Sequence, residues 1–238
     1  MLKSTCLLLA GLLAGSSAHA QIFQRELGDF DLKLGTTPSR SMAQGLVKPS
    51  AVGSFHGGLD LSHDSGLYFG QYAPSMGISS GKNLEIDSYI GFKQPFDQTL
   101  GYEVGMIHYS YPKVDTLDSQ ELFGGLTLLS SRFGVAFSND PDKQNNTLFA
   151  DLGGNQPFGI GISMKYTTHQ LNSPVSVGGG YVSSFTDWSV KFSRPLIGID
   201  LDLIYSNSNL SGSECSAYSG HNSQCDGLVT LKAERAFY

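Results

Sequence analysis

Charge is scarce in this chain. Asp, Glu, Lys and Arg make up 15% of the 238 residues, against roughly 25% in an ordinary soluble domain. Hydrophobic residues, at 40%, do not make up the shortfall, so no enlarged core replaces the missing charge. Glycine, serine, asparagine and threonine fill the gap, which argues against a helical bundle built on Glu, Lys, Ala and Leu. Basic residues are in deficit, 15 against 21 acidic, and a net charge of −6 repels phosphate, so no nucleic-acid partner is expected. Disorder is excluded by 14 Phe and 11 Tyr. Long apolar runs are also missing: the single candidate is N-terminal and falls short of the roughly 20 residues a spanning helix needs.

That candidate is a secretory signal peptide. Lys3 supplies the positive n-region, Cys6 to Ala14 the short apolar h-region, and Ala18-His19-Ala20 an A-x-A cleavage site. Cleavage between Ala20 and Gln21 removes Lys3 and leaves a mature chain over 21–238. Such a chain is either soluble and exported, or crosses a membrane as strands.

The mature sequence alternates with period two nearly everywhere. Ile197, Ile199, Leu201, Leu203 and Tyr205 stand on one face, with Gly198, Asp200 and Asp202 on the other. Ile160, Ile162, Met164 and Tyr166 oppose Ser163, Lys165 and Thr167. Leu84, Ile86, Ile90 and Phe92 oppose Glu85, Asp87 and Lys93. Thr186, Trp188, Val190 and Phe192 oppose Asp187, Ser189 and Lys191. Val229, Leu231 and Ala233 oppose Thr230, Lys232 and Glu234. About twelve strands follow, starting near Asp29, Ala51, Gly66, Asn83, Thr99, Ser119, Ser131, Asn146, Phe158, Phe185, Leu196 and Gly227. Both faces of residues 101–111 carry aromatics, so in and out are not assigned there.

The connections alternate short and long. The short set is His63–Ser65, Gln94–Gln98, Ser130-Ser131, Gly154–Pro157 and Arg194-Pro195. The long set is Pro38–Ser50, Pro74–Lys82, Pro112–Asp118, Asn139–Asn145, His169–Ser184 and Ser206–Asp226. Tight turns at one rim and long loops at the other are the pattern of an up-and-down antiparallel transmembrane β-barrel of the outer membrane. The last strand ends on Phe237 and Tyr238, like the address that outer-membrane barrel assembly machinery reads, and Arg235 is placed to snorkel to headgroups. Closure follows from hydrocarbon, where an unpaired strand edge costs several kcal/mol per backbone group. The bacterial outer membrane, with its lipid around the barrel, is the expected location.

Several segments resemble the TorF porin family of small exported proteobacterial proteins, over nearly all the mature chain. Ser39 to Gln44 with Pro49-Ser50-Ala51 looks like its early segment. Gly58 to His63 followed by Gly66 to Gly70 is similar to its next hairpin. Leu84-Glu85-Ile86-Asp87 with Gly91, Gly105 to Pro112, Phe185 to Ser189, and Cys225-Asp226 before the last strand match as well. Ser41 stands where the family usually has Gly, and Ser110 where Trp is frequent. The resemblance implies an outer-membrane barrel with a pore function and brings no catalytic residues.

Inward-phase charges are the candidate pore lining: Asp60, Glu85, Asp87, Glu121, Asp151, Lys165, Asp187, Lys191, Asp200, Asp202, Lys232 and Glu234, with Lys33 and Arg132 beside them. Acids predominate, and rings of carboxylates favour cations. A narrow diffusion pore for small solutes or ions, weakly cation-preferring, is the expectation; the alternatives are a structural or adhesive barrel plugged by its own charge pairs and, behind that, a lipid-modifying outer-membrane enzyme. Glycines on the inward phase (Gly91, Gly101, Gly105, Gly125, Gly134, Gly159, Gly161, Gly198) leave lumen space or permit curvature. Tyr89, Tyr102, Tyr166, Trp188 and Tyr205 are candidates for the interfacial girdle.

Once Cys6 leaves with the signal, Cys215 and Cys225 permit one pairing, and an oxidising compartment favours it. Such a staple stabilises by roughly 2–3 kcal/mol. A metal site with His221 between them lacks a fourth ligand, and no cofactor is expected. An enzyme is not expected either: no G-x-S-x-G occurs, His169 and His221 fall in long loops, and His63 in a turn. His56 and His108 lie in strands, where a serine on a neighbouring strand is within reach.

Overall fold

A computed structural model describes residues 21–35, 42–47, 56–76, 84–112, 117–153, 159–220 and 225–234. Thirteen strands form one sheet in which each pairs antiparallel with the next in sequence. They are β1 (Gln21–Leu27), β2 (Phe30–Gly35), β3 (Gly57–His63), β4 (Leu67–Met76), β5 (Leu84–Pro95), β6 (Leu100–Ser110) and β7 (Ser119–Leu128). Next come β8 (Ser131–Asn139), β9 (Lys143–Asp151), β10 (Gly161–Val177), β11 (Gly180–Leu196), β12 (Ile199–Ser208) and β13 (Leu228–Glu234). A short helix, α1 (Met42–Leu46), lies between β2 and β3, and a 3-10 turn (Gly212–Ala217) between β12 and β13. The signal-peptide residues, Ala51 and the terminal Arg235, Phe237 and Tyr238 lie outside the described residues.

Alternation placed most strands within three residues of their observed starts. It missed β1, where adjacent Arg25 and Glu26 break the apolar period. The larger correction concerns 169–184, read as a loop. Most of it is strand, because β10 and β11 run on for 17 residues each and turn only at Gly178-Gly179. Asn172-Ser173-Pro174 suggested a loop; instead the β10–β11 register slips between Gln170 and Val175. The slip accommodates a proline that cannot donate to the ladder. Pro74 sits in a matching slip between Tyr72 and Ser75. The β8–β9 connection, expected to be long, spans only Asp140 to Asp142. At the opposite rim Ile197 and Gly198 both have positive φ, 54° and 72°, and form the two-residue turn whose twist suits a hairpin. Ile197 therefore belongs to a turn rather than to the apolar face of β12. Gly159, φ 64°, and Gly198 are likewise turn residues, not lumen spacers.

Burial is inverted relative to a soluble domain. Leu122, Phe137, Leu148, Val229 and Leu231 are 56 to 73% exposed, while Asp60, Asp87, Glu103, Glu121 and Asp187 are at most 8% exposed. The exposed apolar side chains form a belt whose edge can be traced through the ladder register. In one outward row Phe69, Ile90, Met106, Leu122 and Phe137 give way to Asn146, Thr168 and Thr186, from β9 onward. Two residues lower, Leu67, Phe92, Val104, Gly124, Val135, Leu148, Tyr166 and Trp188 give way only at Asn207, on β12. The edge thus moves three strands per two residues. At about 4.8 Å between strands and 3.3 Å per residue, the strands lean by roughly 25° from the belt's normal. Just above the belt runs a row of polar side chains: Gln71, Ser88, His108, Gln120, Asn139, Gln144, Gln170 and Ser184.

The sheet rolls on itself. His56 Nε2, just before β3, lies 4.0 Å from Glu234 Oε2 at the end of β13, although ten strands separate them in the order. With an odd strand count β1 and β13 run in the same direction, and among the described residues no ladder joins them.

Candidate functional site: a divided lumen

The inward faces of β4 to β9 are aromatic. Tyr68, Tyr72, Tyr89, Tyr109, Phe123 and Phe149 are all buried there. They fit because glycines stand directly opposite them across the ladder: Gly91 faces Tyr68, Gly70 faces Tyr89, Gly105 faces Phe123 and Gly134 faces Phe149. A Cβ on Gly91 or Gly70 would collide with the hydroxyl end of its tyrosine. These inward glycines therefore hold rings and do not widen the lumen.

Helix α1 packs onto this surface. Met42, Ala43, Leu46 and Val47 are buried in one cluster with the tyrosines, Ile107, Phe123, Ala136 and Phe149. Two polar contacts fix its ends: Met42 N donates to Glu103 Oε1 at 2.9 Å, and Tyr109 Oη donates to the Leu46 carbonyl at 3.2 Å. The lumen beside β6 to β8 is thus occupied by a segment of the chain itself.

The acids on this side are engaged by tyrosines. Tyr89 donates to Asp60, Tyr68 to Glu103, Tyr109 to Glu121 at 3.3 Å and Tyr111 to Glu85 at 2.7 Å. Asp87 is fully buried between Tyr72 and Tyr109 in the register. Glu103 was absent from the sequence-based set because residues 101–111 were unassigned. Its phase was nevertheless legible, since Gly101 and Gly105 on either side face inward. Tyr89 shares the inward phase of Asp87, so it is a lumen residue and not a girdle member.

Across the lumen, β10 to β13 present small and charged groups: Ser163, Lys165, Ser189, Lys191, Ser193, Asp202, Thr230, Lys232 and Glu234, all partly accessible. Arg132 pairs with Asp151, and Lys232 with Glu234. Read along the wall, Arg132, Asp151, Lys165, Lys191, Asp202, Lys232 and Glu234 mix both signs, with Lys165 and Lys191 on neighbouring strands. Asp200 sits exposed at the short-turn rim, opposite Glu234 in the register and away from the constricted region. Below, the short-turn mouth opens into a cavity of about 520 Å3 whose lining includes Lys93, Asp97, Glu103, Thr127 and Arg132.

At the opposite end the β10–β11 extension carries its own apolar cluster: Leu171, Val182, Phe185, Leu210, Ala217 and Cys225. The Cys215–Cys225 disulfide, expected from the cysteine count, is formed. His169, expected to be a solvated loop residue, is 2% exposed and stacked on Phe185. Its Nδ1 lies 2.6 Å from Asn145 Oδ1 and its Nε2 3.3 Å from Asp187 Oδ2. Tyr218 of the disulfide lobe donates to the same Asp187 carboxylate at 3.4 Å. Asp187 is therefore an anchor for the lobe, and the lobe covers this end of the charged wall.

An inside-out, up-and-down antiparallel barrel with a polar and partly occupied interior is the class that this architecture defines. The chain belongs to a bacterial family of unknown function (Gcw_chp), matched over residues 44–237. Among solved structures it is similar to a triple mutant of Rh. blastica porin. The two are 9% identical, with 89% of this chain and 74% of that one covered and a TM-score of 0.41. No curated protein matches.

Proposed function

We propose that this protein is an outer-membrane channel of the TorF porin type, passing small polar solutes by passive diffusion between α1 and the β10–β13 wall. The observation that carries the reading is the oblique apolar belt around a wall of accessible serine, lysine and aspartate. A soluble protein would expose neither to the same solvent, because the belt needs lipid and the inward charges need water. The signal peptide over 1–20 and barrel assembly through the last strand belong to the same proposal.

Selectivity is weak on this reading. The acid excess counted along the chain lies mainly on β3 to β7, where Asp60, Glu85, Glu103 and Glu121 accept tyrosine hydroxyls. The water-filled half carries four bases, Arg132, Lys165, Lys191 and Lys232, against three acids, Asp151, Asp202 and Glu234, so the cation preference expected from the whole chain is not carried there. Refolded protein in a planar bilayer under a salt gradient should give steady unit conductance with a reversal potential near zero. A correctly folded but silent barrel would remove the channel reading and leave a plugged scaffold.

A further inference from the structure

We propose a second activity, independent of the lumen: a lipid-facing serine hydrolase site formed by Ser88, His108 and Asp118. Ser88 on β5 and His108 on β6 are direct ladder partners, which puts their Cβ atoms about 4.5–5.5 Å apart. Both point outward, in the polar row immediately above Ile90, Met106 and Leu122. At the edge of an apolar belt, this is the depth at which acyl esters meet hydrocarbon.

Ser88, His108 and Asp118 are the residue types of a nucleophile, a base and an orienting acid, set side by side without being hydrogen-bonded to one another in this resting arrangement. His108 Nε2 faces Asp118 Oδ2 at 3.9 Å. His108 Nδ1 is shielded from solvent and, among the described residues, has no hydrogen-bond partner. With Nε2 protonated toward Asp118, Nδ1 is the acceptor left to take the Ser88 proton once a rotamer change brings Oγ to it. Asp118 is itself held by the Tyr111 N–H, which donates to Oδ1 at 2.8 Å. Gln71 Nε2 donates to Ser88 Oγ at 3.2 Å, and Gln120 is the ladder partner of His108, so two amide side chains stand in the row that holds the site.

The substrate class is an acyl ester of an interfacial lipid, its chain lying along Ile90, Met106 and Leu122. Ser88 Oγ attacks the acyl carbonyl while its proton passes to His108. The bond to the alcohol oxygen breaks, and His108 returns the proton to that oxygen. Water then attacks the acyl-Ser88 ester, giving up its proton through His108, and releases the fatty acid and free Ser88. Asp118 is a positioning residue, acting through the imidazole.

The mature protein is refolded into vesicles of acyl-labelled phosphatidylethanolamine, and separately into vesicles containing lipid A, and fatty-acid release is followed. Release in either set supports the site and identifies the lipid; background release in both overturns it. Ser88→Ala and His108→Asn should each reduce release by about a thousand-fold or to background. Loss confined to Ser110→Ala, the serine two residues beyond His108 on the same face, would overturn the assignment of Ser88. Asp118→Asn should lower kcat with KM unchanged. A fluorophosphonate probe should label Ser88 in the wild type and not in His108→Asn, a readout that loss of lipid packing alone does not mimic. Channel conductance should persist in all three variants, so failure here leaves the channel reading intact.

Discussion

A single hydrogen atom decides several positions in the lumen. Gly91 lies opposite Tyr68, whose hydroxyl reaches Glu103, which in turn receives the Met42 N–H of α1. Gly91→Ala would push the Tyr68 ring off that carboxylate, and overpacking of this kind costs about 1–3 kcal/mol. The urea midpoint of the refolded barrel should fall, whereas Gly179→Ala, with no atom within 4 Å of the added Cβ, should leave it unchanged. In the β5–β6 turn, Asp97 Oδ1 accepts from Thr99 N at 2.6 Å, Thr99 Oγ1 at 2.8 Å and Leu100 N at 2.8 Å. These bonds, the Thr99 backbone donor first, hold its carboxyl below the ordinary carboxylate value. A depressed folded value means the turn gains stability above the unfolded pKa and loses it as pH falls through the folded one. An NMR titration should show Asp97 below an unstructured aspartate, and Thr99→Ala should bring it part of the way back.

At the scale of elements, α1 is the part that turns a wide barrel into a narrow one. Its apolar residues enter the lumen because the inward faces of β6 to β8 offer Ile107, Phe123 and Ala136 to pack against. Leu46→Asp places an unpaired carboxylate in that cluster and should expel the segment. Unit conductance should then rise, since the segment no longer occupies the lumen beside β6 to β8. An unchanged conductance would mean that solute does not pass beside α1. The β10–β11 extension shows the converse relation between element and sequence. Serine, proline and glycine suggest a loop, yet Leu171, Val182 and Phe185 bury themselves against the disulfide lobe and keep both strands regular.

The whole molecule is organised by the belt and its tilt. Tyr166, Trp188 and Tyr205 meet across β10, β11 and β12, with Trp188 and Tyr205 rings 5.3 Å apart. They lie where the belt gives way to Asn207, while Tyr102 stands at the opposite rim, packed on Phe96 with ring centroids 5.0 Å apart. Trp188 is the sole tryptophan, so its fluorescence reports one depth. Quenching by lipids brominated near the carbonyl should exceed quenching by lipids brominated at the chain end. Stronger quenching at the chain end would put the belt edge elsewhere and move Ser88 and His108 away from the ester level with it.

Composition, period two and the loop pattern by themselves indicated an up-and-down sheet and, apart from Tyr89, Ile197 and residues 101–111, which side chains face outward. They left Cys215 and Cys225 a single possible pairing, which the structure shows formed. These are local consequences: a strand's alternation follows from its own pleat, and two cysteines have one partnership. The direction of 101–111 was also within reach, because Gly101 and Gly105 mark the inward phase on which Glu103 sits. What lines the open half of the lumen was not within reach. Inward acids read alike along the chain, and only the tertiary structure separates those capped by tyrosines under α1 from those left facing water. The approach of Asp118 to His108 belongs to the same category. Ten residues separate them in the sequence, and the β6–β7 connection, not a strand period, brings the carboxylate to the ring.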